Sequence, residues 1–166
     1  MKITKTEGKI DIVDFNPWVA FEIACNIEQH GEKFYGHFAE IIEDKGTKDI
    51  METLKKAEVK HYETFKNMQK NIPKPENIDE DNIYQMMNFG VFEGRYDWTL
   101  FKKVKDVIEF GIYIEIKSIE LFSFYQKMIK DEHTKIILEK ITGEERKHKS
   151  ILEEILKTKF YGVYGE

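Results

Sequence analysis

The sequence predicts an all-α fold: a four-helix bundle made of two repeated antiparallel helix hairpins joined by a long crossover connection. Three observations predict it. The chain matches itself without a gap at an offset of 87 residues, the separation of Glu28 from Glu115. Each matching half holds two long runs with apolar residues at helical spacing. Each run is bounded by residues that start or stop helices. Under this shift Glu22/Glu109, Ile27/Ile114, Glu28/Glu115, Asp44/Asp131, Thr47/Thr134, Glu58/Glu145 and His61/His148 are identical, and Phe34/Leu121, Leu54/Ile141 and Phe65/Leu152 swap one apolar residue for another. An internal repeat sets the architecture, because two amphipathic hairpins bury their apolar faces best against each other.

In chain order, the first helix begins with Asn16 as N-cap and Pro17 at its first position and runs to about Glu43. The stretch Asp44-Lys45-Gly46-Thr47 reads as the turn, with Gly46 at a positive φ. The second helix runs from about Lys48 to Asn71 and stops before Pro73 and Pro75. The connection, Ile72 to Lys102, carries Tyr84, Met86, Met87, Phe89, Phe92, Tyr96, Trp98 and Phe101, which is too aromatic for a disordered linker. A short helix near Glu80 to Asn88, then a packed loop crossing the bundle, is expected there. The second hairpin comprises helices from about Lys103 to Lys130 and from about Thr134 to Thr158, and a tail follows from Lys159 to Glu166. The whole is read as one domain over residues 1–166.

Composition narrows the function classes. The chain is 41% hydrophobic and 34% charged, with a formal net charge of −5. Nothing is basic enough for a phosphate-backbone footprint, so nucleic acid is not an expected partner. No apolar run is long enough to span a membrane. The single cysteine, Cys25, allows neither an internal disulfide nor a CxxC clip. The expected compartment is the cytoplasm.

The chemistry lies in polar residues placed on apolar stripes. Taking Glu28 as reference, Phe21, Ala24, Cys25, Tyr35, Ala39 and Ile42 fall within about 60° of it at about 100° per residue. Glu115 has the same setting among Ile108, Gly111, Ile112, Phe122 and Ile129. Glu58 and His61 share a face with Met51, Leu54 and Phe65, and Glu145 and His148 with Leu138, Ile141 and Leu152. Heights agree as well: Glu28 lies about 15 residues before its turn and Glu58 and His61 about 11 and 14 after it, which at about 1.5 Å per residue brings them level. Buried carboxylates are costly and repel one another. Two divalent cations would neutralise four of them and use both imidazoles. A Glu from each of two helices with a Glu-x-x-His from each of the other two is the arrangement known for dinuclear carboxylate sites.

The stretches Ile27-Glu28…Gly31…Phe34-Tyr35, Glu58-Val59-Lys60-His61, Glu115…Ser118…Leu121-Phe122 and Glu145-Arg146-Lys147-His148 resemble the rubrerythrin branch of the ferritin-like di-iron proteins. The resemblance covers both hairpins. It implies a non-haem di-iron centre, oxygen or peroxide chemistry, a part in oxidative stress, and a homodimer or larger assembly. Two departures accompany it. A rubredoxin module needs four cysteines, so the electron donor is expected to be a separate protein, such as a rubredoxin-like one. Ser118 stands where the family has an extra glutamate one turn after the third-helix ligand. The resemblance therefore carries the metal site further than it carries peroxide turnover.

The expected ligands are Glu28, Glu58, His61, Glu115, Glu145 and His148. Glu58 and Glu145 are the candidate bridges, and each histidine serves one metal. A donor set without thiolate suits iron or manganese, with zinc open; iron follows from the resemblance. The expected function is a redox enzyme reducing O₂ or H₂O₂ with electrons from the separate donor. The alternatives are a ferroxidase or iron-handling protein and a metal-bearing module without turnover. Tyr35, on the face of Glu28, is the candidate catalytic residue acting through a ligand carboxylate, weighed evenly against core packing. Glu32 reads as solvated rather than as a spare ligand, and Cys25 as inert core rather than a redox thiol. His30, His37 and His133 read as surface residues. The aromatic tail from Phe160 to Tyr164 is expected to cap the bundle or a neighbour.

Overall fold

The computed structural model describes residues 1–6, 9–78, 83 and 97–162. Four long helices dominate: α1 (Pro17–Ile41), α2 (Lys45–Gln69), α3 (Val104–Met128) and α4 (Glu132–Phe160). α1 packs along α2 and α3 along α4, and the two hairpins face each other. The four-helix bundle follows from the repeat as expected.

Helix starts explain several of the repeated identities. The Asn16 side chain accepts a hydrogen bond from the Val19 N–H at 3.1 Å, with Pro17 following. Asp44 accepts from the Thr47 N–H and Asp131 from the Thr134 N–H, each at 2.8 Å. The conserved spacing Asp-x-x-Thr in both halves is thus a helix cap. This overturns the reading of Asp44 to Thr47 as a turn with Gly46 at positive φ. The chain reverses through extended backbone at Ile42, and α2 already starts at Lys45, so Gly46 lies in its first turn. A side-chain cap makes a left-handed glycine unnecessary there. α2 ends at Gln69, two residues earlier than expected.

A second difference lies ahead of the bundle. Two short antiparallel strands, β1 (Lys2–Thr6) and β2 (Lys9–Val13), pair with Ile3 opposite Ile12. Ile12 is buried and joins the core beside α1. The alternation of polar and apolar residues in this segment is a strand period.

The interior consists of two apolar clusters. One gathers Phe21, Ala24, Cys25, Phe65, Phe122 and Leu138; the other gathers Phe34, Phe38, Met51, Leu54, Ile108 and Leu152. Along each helix a glutamate falls between the two, so the polar layer sits at mid-height. Part of the connection also packs inward. Ile83 is buried in the first cluster. Trp98, in a short 3₁₀ turn over Trp98–Leu100, stands edge-on to Phe34 at 5.8 Å, and Phe101 packs on Phe38 and Phe110. Apart from Ile83, the helix expected over Glu80 to Asn88 lies outside the described residues, as do Tyr84, Met86, Met87, Phe89, Phe92, Tyr96 and Tyr164.

Candidate metal centre

Glu28 and Glu115 project inward from α1 and α3, and the two Glu-x-x-His pairs from α2 and α4. Glu28, Glu115 and Glu145 are 0% exposed, Glu58 3% and His61 2%. His148 is half-buried. All six residues singled out from the sequence therefore meet in one polar layer.

Two overlapping sets of four emerge. Glu28, Glu58, His61 and Glu145 each offer a ligand atom such that all lie within 4.8 Å of one another; so do Glu58, Glu115, Glu145 and His148. Glu58 and Glu145 belong to both sets. His61 Nδ1 lies 3.0 Å from Glu145 Oε1 and 3.4 Å from Glu28 Oε2. His148 Nδ1 lies 3.0 Å from Glu145 Oε2 and 3.9 Å from Glu115 Oε2. The imidazole rings face each other across 5.8 Å, tilted by 26°.

The electrostatics are those of a site built for positive charge. Burial pushes the carboxyls of Glu28, Glu58 and Glu115 well above the ordinary range, and neighbouring carboxylates push them further, Glu145 acting on all three. Burial also opposes charge on Glu145, but the rings of His148 and His61 outweigh it and hold that carboxyl at about 2. Burial likewise disfavours charge on His61, yet Glu145, Glu58 and Glu144 bring it up to about 9.

Hydrogen bonding tests whether cations fit. Both oxygens of Glu28, Oε2 of Glu115, Oε1 of Glu145 and Nδ1 of His61 are buried without a hydrogen-bond partner. Buried polar atoms without partners are rare and cost about 1–3 kcal/mol each. Five of them converging on one layer, all of types that ligate divalent metals, fit a dinuclear carboxylate centre.

Two neighbours shape the layer. The Tyr35 hydroxyl, wholly buried, donates to Glu115 Oε1 across the bundle, and burial pushes its own ionisation well up. Its position on the Glu28 face thus serves the opposite hairpin's carboxylate. Gly31 leaves room for Glu58: a Cβ there would stand 2.9 Å from Glu58 Cδ and 3.2 Å from Oε2. In the sequence Gly31 stands out only as part of the Ile27-Glu28…Gly31…Phe34-Tyr35 motif.

Other candidates stay outside both sets. Glu32 is half-buried and joins neither. Ser118 is buried one turn after Glu115. Burial pushes the Cys25 thiol up to about 12, which makes it a poor nucleophile. His30 and His133 are exposed, whereas His37 is half-buried and packs on Phe38 and Trp98. Glu144, which nothing in the sequence pattern singles out, places its Oε2 2.8 Å from His61 Nε2. It follows no repeat, since the matching position is Ala57.

Among the described residues, no helix is long and apolar enough to cross a membrane. No curated protein and no solved structure matches the chain. A family model described as Rubrerythrin matches residues 20–156, which span all six inward polar residues. By this match and the four-helix architecture that carries it, the chain belongs to the rubrerythrin family of ferritin-like di-iron carboxylate proteins.

Proposed function

We propose that the chain holds two iron ions between its hairpins and works as an oxidoreductase, reducing hydrogen peroxide or oxygen with electrons from a separate, rubredoxin-like donor protein. The observation that carries this is the polar layer itself: four buried glutamates and two histidines in two overlapping sets of four, with five ligand-type atoms lacking a hydrogen-bond partner.

Glu58 and Glu145, shared by both sets, would help to hold both ions. Glu28 with His61 completes one set and Glu115 with His148 the other. Tyr35 fixes the orientation of Glu115 through its hydroxyl. When bound, a pair of irons supplies the two electrons that, with two protons, turn hydrogen peroxide into two waters. The apolar clusters on either side of the layer keep bulk water from the carboxylates. The protons that the raised carboxyls hold without metal leave when cations bind. A cytoplasmic location and a homodimer complete the proposal.

Stopped-flow absorbance tests it. Iron-loaded, reduced protein is mixed with hydrogen peroxide or with oxygenated buffer. Faster oxidation by peroxide, with repeated turnover when a reduced rubredoxin is added, supports the proposal. Progressive uptake of Fe(II) beyond the two sites would assign iron handling instead. A reduced centre that neither oxidant reoxidises would leave a metal-bearing module without turnover.

A further inference from the structure

We infer that Glu144 is the positioning residue of His61, and that it makes the two metal positions inequivalent; the inference rests on the two-metal reading above. Glu144 comes from α4, immediately before Glu145, and reaches across to α2. Its Oε2 lies 2.8 Å from His61 Nε2, while the other ring nitrogen, Nδ1, faces Glu145 at 3.0 Å and Glu28 at 3.4 Å. A carboxylate only accepts hydrogen bonds, so the proton between them sits on Nε2. With that proton fixed, Nδ1 is the nitrogen whose proton a cation displaces, and its lone pair then points into the layer, the tautomer a metal-binding imidazole needs.

The second histidine has no such support. His148 Nδ1 faces Glu145 and Glu115, but no hydrogen bond to its Nε2 is seen among the described residues. The residue matching Glu144 in the repeat is Ala57, whose methyl group cannot accept. His148 is also more open, its side chain 12% exposed against 3% for His61. The set with Glu28 and His61 is thus held ready from both sides of its ring, whereas the ring of His148 is held only from the side that faces the layer. The difference arises from a departure from the repeat, not from the ligands.

Zinc is the probe for the test, being redox-silent and diamagnetic. Zn(II) competition titrations with a chromophoric chelator are run on the wild type, Glu144→Ala and Glu144→Gln. Nitrogen-15 spectra of the imidazoles are recorded on the zinc-loaded samples. The wild type takes up two equivalents and shows a slowly exchanging His61 Nε2–H. In Glu144→Ala one equivalent weakens by about 10- to 100-fold, the range for losing such a supporting bond, and the N–H signal is lost. The other equivalent is unchanged. Glu144→Gln, whose amide oxygen still accepts, retains the signal and most of the affinity. Equal weakening of both equivalents, or wild-type affinity in Glu144→Ala, overturns the assignment while leaving the metal centre standing. A wild type that binds no zinc overturns the two-metal reading and this inference with it.

Discussion

The two hairpins carry the same three candidate ligands, two glutamates and a histidine, at the same spacing, yet they surround them differently. On the first, Gly31 makes room for Glu58; its repeat counterpart is Ser118. Tyr35 sends its hydroxyl to Glu115, while its counterpart, Phe122, has no hydroxyl and both Glu28 oxygens lack a hydrogen-bond partner. Glu144 supports His61, while Ala57 stands at the matching position. Even the caps differ, because Asp44 also binds Lys159, a contact the cap at Asp131 does not make among the described residues. The repeat therefore sets where ligands stand, and its departures set how each is held.

Removing what the hairpins share should have the largest effect. Replacing Glu58 and Glu145 together by Ala takes a member from both sets and should abolish metal binding. Circular dichroism should still show a helical bundle, because buried charge leaves with the ligands. Loss of the helices would mean that the metals are structural.

Departures from the repeat come next. Gly31→Ala drives a Cβ onto the Glu58 carboxylate and should destabilise the protein by about 1–3 kcal/mol, the usual cost of overpacking, and weaken metal uptake. Ser118→Ala, at the matching place, should leave metal uptake unchanged in the same titration. If both variants behave alike, Gly31 is not reserving that space. Tyr35→Phe makes the two hairpins alike at this position and leaves Glu115 without its donor. Denaturant unfolding should show a loss of about 1–3 kcal/mol. Unaltered stability would reduce Tyr35 to packing.

The pH dependence separates metal-free from loaded protein. Glu28, Glu58 and Glu115 bind protons more tightly folded than unfolded. Above the unfolded glutamate value of about 4.3, the native state holds more protons, so stability falls as pH rises. His61 acts in the same direction, its contribution present below the ordinary 6.5 and lost through about 9. Glu145 acts oppositely, stabilising above 4.5 and losing its contribution as pH falls towards about 2. The metal-free protein should therefore melt at lower temperature as pH rises from about 5 to about 9. Metal-loaded protein should gain stability over the lower part of that range, since binding displaces those protons. Parallel curves would contradict the assignment of the carboxyls. Smallest of all, Asp44→Ala should lower the melting temperature more than Asp131→Ala, because only Asp44 also ties down α4 through Lys159.

Much of this was legible in the sequence because it is periodic. Helical apolar stripes, the Asn16-Pro17 start and a gapless repeat place four helices, and a glutamate in the middle of each stripe can point only into the core. What escaped the sequence depends on contacts between elements. The β1–β2 pair shows a strand period in the sequence, but two five-residue strands form only by pairing with each other, which the pattern of either one does not show. Gly46 looked like a turn glycine until the Asp44 cap placed it inside α2. Glu144 lies off the stripe, about 100° round the helix from Glu145, and only the approach of α2 gives it a partner. Tyr35 shares a face with Glu28 yet serves Glu115, an assignment that requires knowing how the hairpins face each other.

A dinuclear iron centre in the polar layer is the proposal on which the others rest. Elemental mass spectrometry of the protein, purified after growth with added iron and manganese, tests it directly, with the visible spectrum taken on the same sample. The account predicts about two irons per chain and the near-ultraviolet absorption of a bridged ferric pair. Protein that holds no metal after purification, and none after anaerobic reconstitution with Fe(II), would contradict it.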